Sequence, residues 1–413
     1  MKKLSIKIFV LAIVASLTSC IDYDDVTRAV SVDVQLVMPE EFTGTDYEGH
    51  TVTLTQKGKE SVFSAVTDAN GIAKFKDLIP DVYTINTSWD LTSAQYNLLT
   101  GDNQVNDGVV VSGTISNQLI AENQSENPLK LPTQLSINRS LVIGKVYYAG
   151  TKNNSNKNYT ADQYIEIYNQ SDDSINIGGL CIGLVESDSK GWTAEYLSAM
   201  HPDSTALKQI FRIPDLETEK WIKPGSTIVI ANSAIDHTAV SSSSPNLLDA
   251  DFDVLDTRTK NAYINNPDVP DMETLYTFSK STNFMNLLNG GPCGVVIFRS
   301  EPKDVESWPV TYAYGKTSGS EYKLIPNKVI IDAVEILKYN KEGTVNIDTK
   351  RLVNGLDAGY TFIPATTGYT GDVVYRKTST RKGKNGHKIL VDTNNSTTDF
   401  KVSKTIQPRE YEE

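Results

Sequence analysis

The residues whose types could do chemistry lie mostly between Ser233 and Tyr276. Asp249, Asp251 and Asp253 occupy alternate positions, with Asp256 just beyond. On an extended segment alternate carboxylates project to one side, and hard oxygen donors at that spacing suit Ca2+. The glycine and distant glutamate of an EF-hand loop are absent, so a solvated acidic loop is the competing reading, and no other cofactor is expected. Upstream, Asp236-His237 and the run Ser241 to Ser244 supply the acid, base and hydroxyl types of a hydrolase. Such chemistry also needs fixed geometry, and no G-x-S-x-G elbow is present. We read a serine-rich loop there and expect no enzymatic activity. Trp192, Tyr196 and Tyr263 are candidate ligand contacts, because aromatic faces in loops suit stacking on sugars, flat ligands or a protein partner. Burial of each against the core is the alternative. Cys181 and Cys293 either pair in an oxidising compartment or stay as buried free thiols. The four histidines and these two cysteines show no close metal-ligand spacing.

The start of the chain says where these groups would work. Lys2, Lys3 and Lys7 precede a short apolar run, Ile8 to Leu17, which is too short to span a bilayer. The run ends at Leu17-Thr18-Ser19-Cys20, which resembles the lipobox of bacterial lipoproteins. That resemblance implies cleavage after residue 19 and acylation of Cys20, giving an anchor of about 0.8 kcal/mol per buried CH2. Residues 20–28 then form an acidic tether with Asp22, Asp24 and Asp25. It resembles the signal that sends Bacteroidetes lipoproteins to the outer leaflet, which implies a lipid-anchored outer-membrane protein on the cell surface.

Overall charge narrows the partners. Acidic residues number 51 against 39 basic ones, and three of the lysines fall in the signal. A surface so poor in positive charge works against binding nucleic acid and against anionic headgroups recognised by charge alone. The basic run Arg376-Lys377 with Arg381-Lys382-Gly383-Lys384 reads as a solvated hairpin.

The elements that must position the candidate residues are strands nearly throughout. Val30, Val32, Val34 and Leu36 alternate with Ser31, Asp33 and Gln35, the period of a half-buried strand. Asn70-Gly71 then supplies residues that tolerate the φ of a tight hairpin. Thr67, Asp68, Gly71, Phe75, Leu78, Pro80 and Tyr83 resemble the T-D-x-x-G turn, aromatic strand and L-x-P-G-x-Y corner of prealbumin-like (carboxypeptidase-regulatory-like) modules. Asp81 stands where that family has glycine. The resemblance implies a small β-sandwich over residues 29–138.

A second series begins near Leu141. Tyr164 to Asn169, Gly178 to Ile182, Lys223 to Ala231, Ile331 to Val334 and Asp392 to Phe400 follow in the order of lamin-tail motifs. Residues 139–408 therefore resemble a lamin-tail-like, immunoglobulin-like sandwich, with long inserts at about 186–212 and 233–276 and a tail at 409–413. A helical turn is expected at Phe284 to Leu288, stopped by Gly290-Gly291. Trp89 and Trp221, at strand edges, are expected in the core. Asp392, Asn394, Asn395 and Asp399 form an oxygen-rich segment read as structural, with short side chains capping backbone groups.

The fold class expected is all-β, with two sandwiches in series. The whole arrangement resembles a family of Bacteroides surface lipoproteins with no assigned activity. The function expected is a binding or adaptor module, accessory to a TonB-dependent outer-membrane transporter. A hydrolase with an atypical site in the inserts, and an adhesive or structural surface module, are the alternatives.

Overall fold

The computed structural model describes residues 28–412 apart from 60, 102–108, 138–139, 188–193, 216–219, 255–263, 280–281, 283 and 406. The signal segment, Cys20, Trp192, Asp256 and Tyr263 fall outside the described residues. What is described is built mostly of strands packed as β-sandwiches, as expected from the alternation. The chain divides into two compact units. The first holds residues up to Leu36, Tyr47–Ile85 and Ile115–Leu131, and the second holds the rest.

The strands that build the first unit are β1 (Val30–Val37), β2 (Thr51–Gln56), β3 (Val62–Val66), β4 (Ile72–Leu78), β5 (Asp81–Leu91), β6 (Val109–Ile120) and β7 (Gln124–Pro132). One sheet runs β4-β1-β7 and the other β3-β2-β5-β6. The chain leaves this unit within β5 and returns within β6. Along β1, Val30, Val32, Val34 and Leu36 are buried and the polar residues between them are half-buried. Burying each such side chain contributes about 1.5–3 kcal/mol before entropy is counted. The turn into β4 is closed by Asp68, whose carboxylate accepts the backbone N–H of Asn70 and of Ile72. Gly71 holds φ +74 there, a left-handed conformation that costs other L-residues energy. At the following corner the buried Tyr83 donates its hydroxyl to the Ile79 carbonyl at 2.7 Å.

The second unit has two large sheets. Its strands are β8 (Gln134–Ile137), β9 (Leu141–Tyr147), β10 (Thr151–Lys152), β11 (Asn158–Tyr159), β12 (Tyr164–Asn169), β13 (Ile175–Asn176), β14 (Leu180–Val185), β15 (Ser204–Arg212), β16 (Trp221–Ile222), β17 (Thr227–Ala231), β18 (Phe252–Asp253) and β19 (Glu273–Thr277). They continue as β20 (Val295–Arg299), β21 (Val310–Tyr312), β22 (Glu321–Pro326), β23 (Ile330–Val334), β24 (Val373–Arg376), β25 (Thr378–Lys382), β26 (Lys388–Leu390) and β27 (Phe400–Ser403). A six-stranded sheet runs β18-β17-β12-β9-β24-β27. A seven-stranded sheet runs β21-β22-β15-β14-β20-β23, with β19 on β15. Ile143, Ile165, Ile167 and Ile230 of the first belong to one core with Ile182, Phe211, Val295 and Ile297 of the second.

The opposite face of the seven-stranded sheet is covered too. Cys181, Leu207, Val296 and Phe298 pack there with Val305 of the helix Pro302–Ser307 and with Leu352. Strands buried on both faces read as unbroken apolar runs rather than alternating ones, and β9, β12 and β14 are buried at every position.

Several expectations are corrected here. The segment 186–212, expected as an insert, supplies β15 to the large sheet, where it pairs with β14, β19 and β22. No helical turn forms at Phe284 to Leu288. That backbone is held open by buried amide side chains instead. Asn232 bonds both the N–H and the carbonyl of Met285, Gln209 bonds Phe284 O and Asn286 N, and Gln163 bonds Leu287 O. Trp221 is 55% exposed, so it is not a core residue.

Candidate functional site

The hydrolase-like residues near 237 are brought close together, but in structural roles. Asp236 caps the short helical turn His237–Ala239, accepting from Thr238 N at 3.0 Å. His237 is fully buried. Its Nε2 lies 2.8 Å from the Ser233 carbonyl, so Nε2 carries the proton, and Nδ1 accepts the Tyr159 hydroxyl at 2.7 Å. Burial holds its pKa below the ordinary value, against the pull of the Ser233 carbonyl and Asp236. A neutral imidazole with both nitrogens engaged has no lone pair to activate Ser241, whose hydroxyl faces Ser243 at 3.1 Å.

Ser244 leads to a group the sequence reading passed over. Its Oγ donates to Asp162 Oδ2 at 2.7 Å, and the hydroxyls of Tyr147 and Thr151 reach the same oxygen at 3.1 Å each. The other oxygen, Oδ1, is buried with no hydrogen-bond partner among the described residues. Burial pushes this carboxyl up to about 6, and the three hydroxyls hold it from rising further. Beside it opens a shallow groove, lined among others by Tyr147, Tyr164, Ser243, Gly371, Lys404 and Gln407. Asp162 precedes an apolar strand in a short loop, and nothing in that local sequence marks it as a buried acid.

The outer face of the six-stranded sheet carries a second unexpected feature. Lys145 on β9 and Glu166 on β12 are direct cross-strand partners, paired at 3.1 Å and both wholly buried. Residues 407–412 cover them as a strap. Lys145 donates to the Gln407 carbonyl at 2.8 Å, and Arg409 N–H and the Tyr411 hydroxyl donate to Glu166 at 2.7 and 3.0 Å. The Arg409 guanidinium reaches the carbonyls of Thr227 and Asp249 and the carboxylate of Asp251. The Tyr411 ring packs on Tyr168 under the Lys145 ammonium. Gly144 makes the room, since a Cβ there would overlap the Tyr411 hydroxyl. Burial pushes Glu166 up and Lys145 down, each opposed by the other's charge.

These contacts answer the metal question for Asp249, Asp251 and Asp253, which is corrected. Asp251 accepts Val229 N at 2.9 Å and pairs with Lys220 at 2.7 Å and with Arg409. Asp249 faces Arg409, and Asp253 is buried with its carboxylate on Ala234 N. Asp249 and Asp251 share the Arg409 guanidinium while Asp253 turns to a backbone amide, and no cluster of three metal-ligating side chains forms among the described residues.

Of the aromatic candidates, Tyr196 is half-buried and packs edge-on against Tyr314 with centroids 4.6 Å apart. It folds back on the sheet beside Leu197 and Tyr322. Of the two readings left open for Cys181 and Cys293, the structure has the second, since both are buried free thiols. Cys181 lies opposite Phe298, so Cys293 is displaced five residues along the strand. That is about 17 Å at the rise of a strand, against about 7 Å for bridgeable cysteines. The two also belong to cores on opposite faces of the sheet. Burial pushes both thiols up, Cys181 to about 12. Neither is expected to react with a thiol reagent in the native protein, and both should react in denaturant. Fast native labelling would sink this.

Residues 223–407 match the family described as Protein of unknown function (DUF4876). Among solved structures the chain is similar to a DUF4876 family protein from Bacteroides thetaiotaomicron. The two share 24% identity with a TM-score of 0.54, over 90% of this chain and 94% of that one, a likeness of fold. No curated protein matches. The family match spans less than half of the chain and the structural likeness is one of fold, and neither carries an activity with it.

Proposed function

We propose that the protein is an outer-membrane lipoprotein, anchored through Cys20 and displayed on the cell surface as a non-enzymatic binding or adaptor module. In this reading the first unit is a prealbumin-like spacer and the second a lamin-tail-like sandwich that holds the working surface. The partner class is a TonB-dependent transporter, whose substrate capture a tethered sandwich would assist. The observation that carries the non-enzymatic reading is the fate of the reactive side chains. His237, Asp236, Ser244 and Glu166 are spent on internal partners, while an open groove remains at the stem of the strap. One observation favours the hydrolase alternative, an acid raised to about 6 close to that groove. Asp162 would then act as a proton donor, and Asp162→Asn would abolish turnover of any substrate found.

The anchor is tested in the native host. Wild-type protein is expected in the detergent-extracted membrane fraction and open to protease on intact cells. Cys20→Ala should lose the acyl chains and move the great majority of the protein out of that fraction. Unchanged membrane retention of Cys20→Ala would refute the anchor. Purification under mild detergent tests the partner, and recovery of the lipoprotein alone would count against it.

A further inference from the structure

The slot beneath the strap has the properties of a recognition site. Its centre is the Lys145–Glu166 pair, with no exposure of either side chain. Replacing such a pair by apolar side chains is often neutral or stabilising, so burying it is a weak route to stability, whereas its geometry is selective. Arg409 adds to the selectivity. It follows Pro408 in a turn closed by Glu410 N to Gln407 O at 3.2 Å and holds φ +64, where glycine would sit with less strain. An arginine there gives up backbone comfort for the reach of its guanidinium.

The anchoring contacts of Arg409 and Tyr411 run to the strands and loops of the body, not to the strap's own stem. The same set would be satisfied by an identical strap arriving from elsewhere, which is the condition for exchange of an element between copies. We infer that the slot is a recognition site for an arginine-x-tyrosine segment. It is filled here by the chain's own residues 409–411 and open to the same segment of a second copy of this chain. The occupant whose fit is on the page is this chain's own strap, which makes a second copy the partner.

Lys401 and Glu412 give a direct reporter. They pair at 2.8 Å while remaining partly exposed, so a carbodiimide should join them by an amide bond. Full-length protein is prepared in ordinary and isotopically heavy forms, mixed in equal parts, held at rising concentration, and coupled. Exchange predicts Lys401–Glu412 links between heavy and light chains, increasing with concentration. A free peptide of residues 407–412 should suppress them, and the same peptide with Arg409→Ala should not. Links confined to single chains at every concentration would overturn the inference. So would heavy–light links that the peptide leaves unchanged, since those would report chance encounters.

Discussion

Replacing Arg376 by leucine is expected to cost about 3–5 kcal/mol of stability, the range for leaving buried charge without its partner. Arg376 is among the largest fully buried side chains of the described residues. Its Nη2 makes a forked pair with Asp332 at 2.8 and 2.9 Å, and its Nη1 reaches Asp392 and Asp399 at 3.1 Å each. The Ile143 carbonyl takes Nε–H, the Val391 carbonyl shares Nη1 with the two aspartates, and the Phe400 ring lies against the guanidinium. Burial opposes the guanidinium's charge, and the three carboxylates outweigh it. One cation thus ties β24 to β9, β23 and the 392–399 segment. Without it, three buried carboxyls face one another and must take up protons or open the structure. Asp332 and Asp399 are already raised by burial to about 7 and about 6 with the arginine present. Lysine is a poor replacement, because one ammonium cannot meet Asp332, the Asp392 and Asp399 pair, and the Ile143 carbonyl at once, as the three separate nitrogens of the guanidinium do. Urea unfolding of Arg376→Leu and Arg376→Lys beside wild type checks this, and a loss below about 1 kcal/mol for the leucine variant would sink the argument.

How much of this was legible depends on whether a residue's partner lies nearby in the chain. The alternation of β1, the Asp68–Gly71 turn and the apolar runs of β9, β12 and β17 are local signals, and the strands stand where those signals put them. The 392–399 segment reads as structural and is, with the Asn395 side chain accepting from Thr397 N. Arg376 reads in the sequence as part of a solvated hairpin. The hairpin forms from β25 and β26, but Arg376 ends β24 ahead of it and points inward to Asp332 and Asp399, which lie 44 and 23 residues away in the chain. Nothing within a window of neighbours distinguishes an arginine that meets three aspartates from one that meets water. The Lys145–Glu166 pair did leave a trace, a lone lysine and a lone glutamate each inside an apolar run. Facing strands with one opposite charge apiece are a cross-strand pair in waiting. The strap over them left none, since residues 409–413 read only as a tail. The Ser204–Arg212 strand was missed because Lys208 and Gln209 interrupt its apolar pattern. Both are buried, Lys208 donating to Ser187 Oγ at 2.6 Å and Gln209 serving the loop at 284–286.

Asp162→Asn is expected to change the pH dependence of stability more than any other single replacement near the groove. The carboxyl titrates at 3.8 when free and at about 6 in the folded protein, where burial disfavours its charge. The native state therefore binds more protons than the unfolded state between those values, so this group's contribution falls as pH rises through that window. Below 3.8 the carboxyl is neutral in both states and costs nothing. Above about 6 it is ionised in both, and the folded protein carries the whole penalty, about 3 kcal/mol from the size of the shift. An asparagine keeps an oxygen for the hydroxyls of Ser244, Tyr147 and Thr151, puts an amide where Oδ1 stands, and does not titrate. Asp332 and Asp399 titrate in the same region in both proteins, so the wild-type curve alone does not isolate Asp162. The difference between the two curves does. Unfolding free energies at intervals from pH 4 to 8 should diverge by about 3 kcal/mol in favour of the asparagine variant toward the alkaline end. Parallel curves would mean that the buried carboxyl is solvated through the groove in solution. In that case the groove reaches deeper than its lining residues indicate, and Asp162 belongs to its floor.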